Sequence, residues 1–450
     1  MELYDKYIAC GYRVTTDSRA ISGGEMFFAL RGENFDGNAF AAAALEKGAA
    51  WAVVNADAQL PEDERFIRVD DPFRTLQELA VYHRQHVMDG RKSPACGIEG
   101  HLPVVGLTGT NGKTTTKELI AAVLSRKYKV TATQGNLNND IGVPLSLLKI
   151  TPETEIAVIE MGANHPDDIA KLVKVSQPDY GLITNVGKAH LLGFGSFEGV
   201  KAAKGELYKW LGAHPGSLIF LNEDDPDLRE MAAAQPCHVF GYGIRARGAQ
   251  ILPTTSENPF LAVSVGGVEV HTSLVGAYNA NNVLAAMAVG EYFGVSPQEA
   301  AAAISEYVPK NNRSQMVKTE SNTLIVDAYN ANPSSMMAAL DNFNAISAMS
   351  KVALLGDMRE LGEDSVKEHS KIVWKLMSDG LDAYLVGDEF RKAMEQFGIG
   401  PEGVDGNGVK GWFADSESLA AFIKEHPLAN ATVLVKGSRG IMMEKVLPVL

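Results

Sequence analysis

The chain has 450 residues, of which 46% are hydrophobic and 21% charged, a balance typical of a globular protein with room for about three domains. Its formal net charge of −14 argues against broad binding to nucleic acid, which needs a basic surface. The apolar runs are too short to span a membrane, and the opening stretch "MELYDKYIAC" lacks a signal-peptide pattern. The three cysteines, Cys10, Cys96 and Cys237, are scattered and favour a reducing compartment, so we expect a cytoplasmic protein.

Residues 1–98 predict a small α/β domain. Within it, "MFFAL" and "AAWAVV" are typical of strands, and "AFAAAALEKGA" is typical of a helix. The stretch 89–103 is rich in glycine, proline and charged residues, as linkers commonly are, so we expect the first domain boundary there.

Residues 99–310 predict a central domain built on a parallel sheet. The runs "VVGLT", "EIAVIEMG" and "YGLITNVG" alternate with helical patterns such as "KTTTKELIAAVLSRK", which indicates parallel strands joined by crossover helices. Two further helices are predicted in "AYNANNVLAAMAVGEYFG" and "SPQEAAAAISEYV". The second has Ser296 as its N-cap, Pro297 at its first position and Glu299 where a capping box requires it.

Residues 311–450 repeat the alternation and predict a third domain. Its strands are expected in "TLIVDAYN", "KVALLGD", "DAYLVGD" and "TVLVKGS", separated by segments of helical length. The whole chain is therefore expected to be an α/β protein of three domains.

The stretch "GLTGTNGKTTTKE", residues 106–118, predicts a phosphate-binding loop between a strand and a helix. Such a loop points backbone N–H groups at one spot, where the helix N-terminus adds partial positive charge. Lys113 can reach terminal phosphates, and the Thr114 hydroxyl can ligate Mg²⁺. The residues expected to hold the nucleotide are Gly109, Thr110, Asn111, Gly112, Lys113, Thr114 and Thr115.

The general form of this loop, G-x-x-x-x-G-K-[ST], is not met, because Leu107 stands where the first glycine belongs. A glycine-rich turn capped by threonines is the alternative. A GTPase switch is disfavoured because the chain contains no Asn-Lys dipeptide from which a guanine reader could be built. A dinucleotide site is disfavoured because "GFGSFEG" has the wrong glycine spacing and no strand directly before it.

Polar residues follow several of the predicted strands, where ligands gather in open α/β sheets. Glu160 ends "EIAVIE" and suits Mg²⁺, although a solvated acid at a strand end is the alternative. His190 follows another strand, and by itself would more often be structural. Asp327 ends a strand in the third domain, and Asn330 follows it in a segment that also suits plain helix capping.

Taken together, these segments resemble the Mur ligase family. The resemblance rests on "GLTGTNGKTTTKE", "EMGAN", "AHLLGFGSFEGVKAAKGELY", "GAYNANNVLAA", "RSQMVKTESNTLIVDAYNANPSSMMAAL" and "LLGDMRELGE", which occur in order along nearly the whole chain. The shifted phosphate loop fits the family's own form, Gly-x-x-Gly-Thr-Asn-Gly-Lys-Thr. The fold implied is a small N-terminal α/β domain, a central P-loop NTPase-like parallel sheet and a C-terminal Rossmann-like domain.

Within the family, "TQGNLNNDIGVPLSLL" and "EMGANHPDDIAKL" are similar to the member that adds D-alanyl-D-alanine to UDP-N-acetylmuramoyl-tripeptide. The Asp-Asn-Pro-Arg stretch typical of the diaminopimelate-adding member is absent. Folylpolyglutamate synthase lacks the first domain, whereas "TTDSRAISGGEMFFALRGENFDGNAF" resembles the family's UDP-binding portion. Another amino-acid ligase of the family and a non-catalytic ATP-binding scaffold remain alternatives.

The resemblance implies an ATP- and Mg²⁺-dependent ligase that works through an acyl phosphate. Lys113 would draw charge from the β- and γ-phosphates, while Thr114 and Glu160 would hold one Mg²⁺. His190 would help to hold a second Mg²⁺. Lys204 would be carbamylated and bind metal, or else form a plain salt bridge.

The resemblance also assigns the remaining substrate contacts. It implies a monomer whose domains close to assemble the site. Adenine, ribose and phosphate would meet Asn279, Asn282, Arg313, Asp327 and Asn330. The UDP end would meet Ser18 and Arg19, and the muramyl-peptide would meet Asn136 and Asn139. The dipeptide would meet Asp357, Lys436 and Arg439.

Overall fold

Three sheets of mainly parallel strands follow one another along the chain in the computed structural model, which describes residues 2–33, 35–254, 259–309 and 313–450. This architecture confirms the predicted α/β fold class with a small first domain and two larger ones. Among the described residues, no helix combines the length and the apolar character that crossing a membrane requires.

The first domain has a four-stranded parallel sheet in the order β1-β2-β5-β6, with β3 and β4 forming a separate hairpin. Its strands are β1 (Val14–Thr15), β2 (Met26–Phe28), β3 (Arg31–Gly32), β4 (Phe35–Asp36), β5 (Trp51–Asn55) and β6 (Phe66–Val69). Its helices are α1 (Glu2–Ala9), α2 (Ala41–Glu46) and α3 (Pro72–His86).

Helix α3 fastens the first domain to the second through buried polar groups. The ring of His83 is fully buried, with Nε2 donating to the Ile150 carbonyl at 2.8 Å and Nδ1 3.1 Å from the Tyr4 hydroxyl. Arg84, also buried, donates to the Asp179 carboxylate at 3.0 Å. Buried polar groups are costly unless bonded, so these contacts favour one relative placement of the two domains.

The second domain contains a six-stranded parallel sheet in the order β12-β11-β10-β7-β9-β8 and a three-stranded antiparallel sheet, β13-β14-β15. Its strands are β7 (Val104–Thr108), β8 (Val130–Ala132), β9 (Ile156–Glu160), β10 (Tyr180–Ile183), β11 (Leu218–Asn222), β12 (His238–Tyr242), β13 (Gln250–Ile251), β14 (Phe260–Val265) and β15 (Val268–Val275). Its helices are α4 (Lys113–Leu124), α5 (Gly142–Leu147), α6 (Asp168–Ser176), α7 (Leu191–Phe194), α8 (Phe197–Ala213), α9 (Pro226–Ala233), α10 (Ala280–Tyr292) and α11 (Pro297–Glu306).

The apolar residues of helix α4 follow the spacing expected of a helix with one buried face. Leu119, Ile120, Val123 and Leu124 are fully buried, as their helical spacing predicts. Helix α11 begins at the predicted capping box, in which Ser296 and Glu299 satisfy one another's backbone N–H groups.

The small antiparallel sheet was not predicted from the sequence. Strands β14 and β15 are joined by Gly266 and Gly267, both with positive φ (58° and 78°), which suits the tight turn of a hairpin. The Gly-Gly pair between two apolar runs is the signal that could have located this hairpin.

The third domain has a six-stranded sheet in the order β16-β17-β21-β18-β19-β20, in which only β16 is antiparallel to its neighbour. Its strands are β16 (Gln315–Lys318), β17 (Thr323–Asp327), β18 (Lys351–Gly356), β19 (Asp382–Val386), β20 (Val409–Phe413) and β21 (Thr432–Lys436). Its helices are α12 (Pro333–Ala345), α13 (Ser365–Asp379), α14 (Asp388–Glu395) and α15 (Ser416–Glu425).

Stability should fall in mild acid because of His83. Burial lowers the pKa of this imidazole to about 4, so between pH 6.5 and 4 the unfolded chain binds a proton that the folded chain does not. The free energy of unfolding should therefore decrease as the pH falls through this window, by up to about 3 kcal/mol. Urea unfolding of the parent and of His83→Gln at pH 7 and pH 5 should show a smaller decrease in the variant.

The exposed His426 supplies the matched control, because its side chain bonds only within its own helix end. His426→Gln should keep the parent's decrease in stability. An equal decrease in His83→Gln and the parent would assign the acid sensitivity to other groups.

Candidate active site

A cavity of about 710 Å³ lies between the second and third domains. It opens at the carboxyl ends of β7 and β9 on one side and of β17 and β21 on the other. The predicted site residues that line it are Thr110, Asn111, Gly112, Lys113, Thr114, Thr115, Asn136, Glu160, His190, Asn279, Asn282, Arg313, Asp327, Asn330, Lys436 and Arg439.

Two glycines of the phosphate loop occupy positions that other residues could not. Gly109 has φ +143°, and a Cβ there would lie 2.0 Å from the Thr184 hydroxyl. Gly112 has φ +79°, and a Cβ there would lie 2.7 Å from the Asn282 side-chain oxygen. The loop therefore packs closely on its neighbours with a backbone shape that glycine tolerates and bulkier residues resist. Gly109 belongs to this loop without lining the cavity.

Lys113, the first residue of α4, bends back over the phosphate loop. Its ammonium group donates to the carbonyls of Gly109 at 2.8 Å and Thr110 at 3.1 Å. Burial lowers the pKa of Lys113, and the nearby Glu160 carboxylate opposes this shift. A desolvated ammonium held only by neutral carbonyls has a strong capacity to attract an anion.

Glu160 presents a free carboxylate oxygen at the end of β9. Its Oε1 accepts hydrogen bonds from the Thr114 hydroxyl at 3.2 Å and the Asn138 amide at 2.8 Å. Its Oε2 is buried and has no hydrogen-bond partner among the described residues. A buried carboxylate beside a hydroxyl is an oxygen donor set that Mg²⁺ prefers, so these residues fit that ion. Among the described residues there is no group of three His, Cys, Asp or Glu side chains placed to bind a metal by themselves.

His190 is oriented by a residue of the third domain. It has a left-handed backbone, φ +51°, and its Nδ1 donates to the carboxylate of Glu360. Burial lowers the pKa of His190, against the attraction of Glu360. The second ring nitrogen, Nε2, is therefore the one left to act as a ligand.

Lys204 is a buried lysine on α8 with an unusual environment. Its side chain is only 2% exposed, and its ammonium is 3.3 Å from the Ala163 carbonyl and 5.4 Å from the centre of the Phe194 ring. Burial, followed by repulsion from Lys113, lowers the pKa of Lys204 to about 7. A lowered pKa favours the neutral, nucleophilic form of the amine. Lys204 does not itself line the cavity.

The third domain contributes a cationic group to the cavity. The Arg313 guanidinium lies 3.7 Å from the centre of the Tyr329 ring, and that of Arg439 lies 5.1 Å from it. The Nε of Arg313 is buried and has no hydrogen-bond partner in the described part of the chain. Lys436 is buried, pairs with Asp327 and donates to the Asn330 carbonyl at 3.3 Å.

Asn279 and Asn282 lie on one face at the start of α10, as their spacing predicts. Asn282 donates to Asn279 at 2.9 Å and accepts from the Thr116 hydroxyl at 3.1 Å. These bonds connect α10 to the helix that follows the phosphate loop.

Four predicted substrate residues do not line the cavity. Ser18 and Arg19 lie in the first domain, where Arg19 pairs with Asp17. Asn139 uses its side-chain oxygen to accept from the Gly142 N–H at 2.8 Å. Asp357 is buried and accepts from two N–H groups at the start of α14, at 3.0 and 2.9 Å. The Asp357 carboxylate therefore caps this helix, and its contact with a dipeptide stays a prediction.

Several cavity residues were not identified from the sequence. Asn138 was passed over between Asn136 and Asn139, although "NLNND" offered three candidates. Tyr329 and Glu360 also line the cavity. Tyr329 closely follows β17 and contacts Arg313 of its own domain. Glu360 lies in the "MRELGE" segment and gains its partner, His190, only from the contact between domains.

Three family models match the chain in order. They are the Mur ligase family catalytic domain over residues 12–84, the Mur ligase middle domain over 107–290 and the Mur ligase glutamate ligase domain over 312–439. The UDP-N-acetylmuramoyl-tripeptide–D-alanyl-D-alanine ligase of Escherichia coli is 35% identical over 448 residues, covering 96% of this chain and 92% of that protein. The Bacillus subtilis ligase of the same name is 33% identical over 439 residues, with 96% and 92% covered.

Solved structures agree with these matches. MurF from Acinetobacter baumannii superposes with a TM-score of 0.80 at 29% identity, covering 97% of this chain and 92% of that one. MurF ligase from Thermotoga maritima, in complex with ADP, superposes with a TM-score of 0.79 at 26% identity, with 97% and 96% covered. From the order of its domains, its phosphate loop and these matches along nearly its whole length, the chain belongs to the Mur ligase family.

Proposed function

We propose that this protein is an ATP-dependent ligase that joins D-alanyl-D-alanine to UDP-N-acetylmuramoyl-tripeptide, forming ADP and phosphate, in the synthesis of peptidoglycan precursors. The observation that carries the proposal is the cavity between the domains, which brings the phosphate loop, the free oxygen of Glu160 and the third-domain arginines together. The relatives that bear this activity in their names cover nearly the whole chain.

ATP would bind with its phosphates in the loop 109–115. The loop N–H groups and the start of α4 favour anions, and Lys113 can leave its two carbonyl partners for the β- and γ-phosphates. Asn279, Asn282, Asp327 and Asn330 would lie along the nucleoside side. A relative of the same fold was solved with ADP, which supports nucleotide binding here.

Mg²⁺ would be held by Thr114 and Glu160, and a second ion by His190 with Lys204. Mg²⁺ at this position would offset the negative charge of the phosphates. The unpaired Oε2 of Glu160 and the Nε2 of His190 are the protein atoms left available for this purpose.

The reaction brings two anions together, the peptide carboxylate and the γ-phosphate. Lys113 and Arg313 would stabilise the negative charge that builds up as the carboxylate oxygen bonds to phosphorus and the bond to ADP breaks. The amine of the dipeptide would then attack the acyl carbon, and phosphate would leave with formation of the amide. Enclosure between two domains would keep water from the acyl phosphate.

Lys204 would react with carbon dioxide to form a carbamate, because its lowered pKa leaves a neutral amine available. This change would replace a cation, which repels Lys113, with a carboxylate-like anion able to bind metal. The alternative, an unmodified lysine in a salt bridge, has less support, because Lys204 contacts the Ala163 carbonyl and no carboxylate among the described residues lies within ion-pair distance of it.

The substrates would extend from the cavity in opposite directions. Asn136 would contact the muramyl-peptide, and Ser18 and Arg19 the UDP end in the first domain. Lys436 and Arg439 would contact the dipeptide from the third domain. We further propose that the protein works as a monomer in the cytoplasm.

The proposed reaction can be tested by measuring ADP release with a panel of substrates. Rapid ADP release should require both UDP-N-acetylmuramoyl-tripeptide and D-alanyl-D-alanine, with little release when either is omitted. Single amino acids in place of the dipeptide would identify a different ligase of the family. ATP binding without any carboxylate-dependent ADP release would instead support the scaffold.

Substitution of Glu160 should separate metal binding from folding. Glu160→Gln keeps an oxygen that can accept from Thr114 and Asn138 but removes the negative charge. The Mg²⁺ concentration that gives half-maximal activity should therefore rise at least about tenfold. Melting temperature should change little. Glu153→Gln, at an exposed site beside Lys129, is the matched control and should behave like the parent. A parent-like Mg²⁺ requirement in Glu160→Gln would contradict the proposed role.

Carbamylation of Lys204 can be observed directly with ¹³C-labelled bicarbonate. A carbamate carbon resonance should appear and grow as the pH rises through about 7, because only the neutral amine reacts. Lys204→Ala should abolish the resonance. Lys201→Ala, a substitution on the same helix, should retain it, because Lys201 donates hydrogen bonds to Asp227 and Glu230, which raise its pKa and keep it protonated. A spectrum without the resonance at pH 8 would contradict carbamylation.

A further inference from the structure

The second and third domains are joined beside the cavity by hydrogen bonds that two backbone amides of the second domain donate. The Lys188 N–H donates to the Ser334 hydroxyl at 3.2 Å, and the Leu192 N–H donates to the Glu360 carbonyl at 3.1 Å. Each bond joins one domain to the other, so it exists only while the domains are in contact. These two amides are therefore natural reporters of domain closure.

One side-chain contact crosses the same gap and reaches the phosphate loop. The Asn332 Nδ2 donates to the Asn111 Oδ1 at 2.7 Å, and the reverse pair of atoms lies 3.5 Å apart. Asn111 stands two residues before Lys113 in the loop. The contact thus connects the third domain to the segment that is proposed to hold the phosphates.

Asn111 is firmly anchored within the second domain. Its N–H donates to the Asn185 side-chain oxygen at 3.0 Å, and its carbonyl accepts from the Thr184 hydroxyl at 2.6 Å and the Asn185 amide at 2.9 Å. Its backbone groups are therefore hydrogen-bonded within the second domain. Its side chain points to the third domain. Because its backbone is anchored in the loop, a displacement of that side chain would shift the whole loop.

Asn332 is anchored in the third domain by a different atom. It is the N-cap of α12, where its Oδ1 accepts from the Ser335 N–H at 2.9 Å. Its Nδ2 is not needed for capping, since a serine or aspartate, which has no amide nitrogen, caps a helix equally well. The amide thus adds a donor to the cap, and the structure uses that donor on Asn111.

We propose that Asn332 is a positioning residue, whose amide links closure of the third domain to the conformation of the phosphate loop. The bond to Asn111 forms as the domains meet, and it holds the loop in the shape that receives the transferred phosphate. The consequence for turnover rests on the proposed function, whereas the link between the domains does not.

The cap and the link can be separated by substitution. Asn332→Ser keeps a capping oxygen but is too short to reach Asn111, whereas Asn332→Ala removes both. Asn111→Ala removes the link from the other side and keeps the backbone bonds of the loop. Asp415→Ser is the matched control, because Asp415 caps α15 in the same domain by accepting from the Ser418 N–H at 2.7 Å, away from the cavity.

Hydrogen exchange measured by mass spectrometry on the peptide that spans Lys188 and Leu192 reports closure without any substrate. Asn332→Ser and Asn111→Ala should each raise exchange of this peptide roughly fivefold, the effect of losing about one hydrogen bond. The double variant should show no further increase, because both substitutions remove the same bond. Asp415→Ser should leave this peptide as in the parent.

Steady-state kinetics supply the second readout. Asn332→Ser should lower kcat roughly fivefold while its melting temperature stays within a degree or two of the parent. If exchange rises only in Asn332→Ala, the residue acts as a cap and the proposal is wrong. Additive effects of Asn111→Ala and Asn332→Ser would equally overturn it. Should the chain show no ligase turnover, the exchange measurement still decides whether the link exists.

Discussion

The arrangement on which everything else depends is the meeting of two sheets from different domains at the carboxyl ends of their strands. Strands β7 and β9 deliver the phosphate loop and Glu160 to one wall of the cavity, and β17 and β21 deliver Asp327 and Lys436 to the other. Parallel strands place such loops at a common edge, so one edge provides a half-site. Only the contact between the two edges makes an enclosed volume with polar groups on both sides.

The charges of the cavity are unbalanced in a way that calls for anions. The chain as a whole carries −14, yet Lys113 and Arg313 face the cavity and Lys204 lies behind it. Desolvation lowers the pKa of both lysines, with repulsion from Arg313 adding to the shift of Lys113 and repulsion from Lys113 adding to that of Lys204, as expected where the protein compensates their charges only in part. Phosphates would supply the missing negative charge. The nearby carboxylate of Glu160 would bind a cation together with them.

The parts of the molecule that follow from short-range patterns could be predicted from the sequence. Strand and helix alternation indicated the sheets, and the strand–loop–helix order around Lys113 indicated the loop, because both depend on local periodicity and backbone geometry. Asp357 shows the limit of such patterns, because a carboxylate at a strand end can contact a ligand or cap the next helix, and only coordinates reveal its two bonds to the start of α14. Tyr329, Glu360 and Asn332 gain their meaning from partners more than a hundred residues away or in the other domain, as in the contact of Glu360 with His190. No local pattern encodes such pairs.

The two junctions of the molecule differ in kind. The first domain is attached through His83 and Arg84, which are buried and hydrogen-bonded to the second domain, whereas the junction beside the cavity uses partly exposed groups such as Lys188. Buried bonded groups resist separation more strongly than exposed ones. The first two domains should thus move as one body, with a constant distance between the UDP site proposed in the first domain and the phosphate loop. A rigid pair of domains would therefore select the length of the peptide stem. A stem one residue too short or too long would place its terminus away from Lys113.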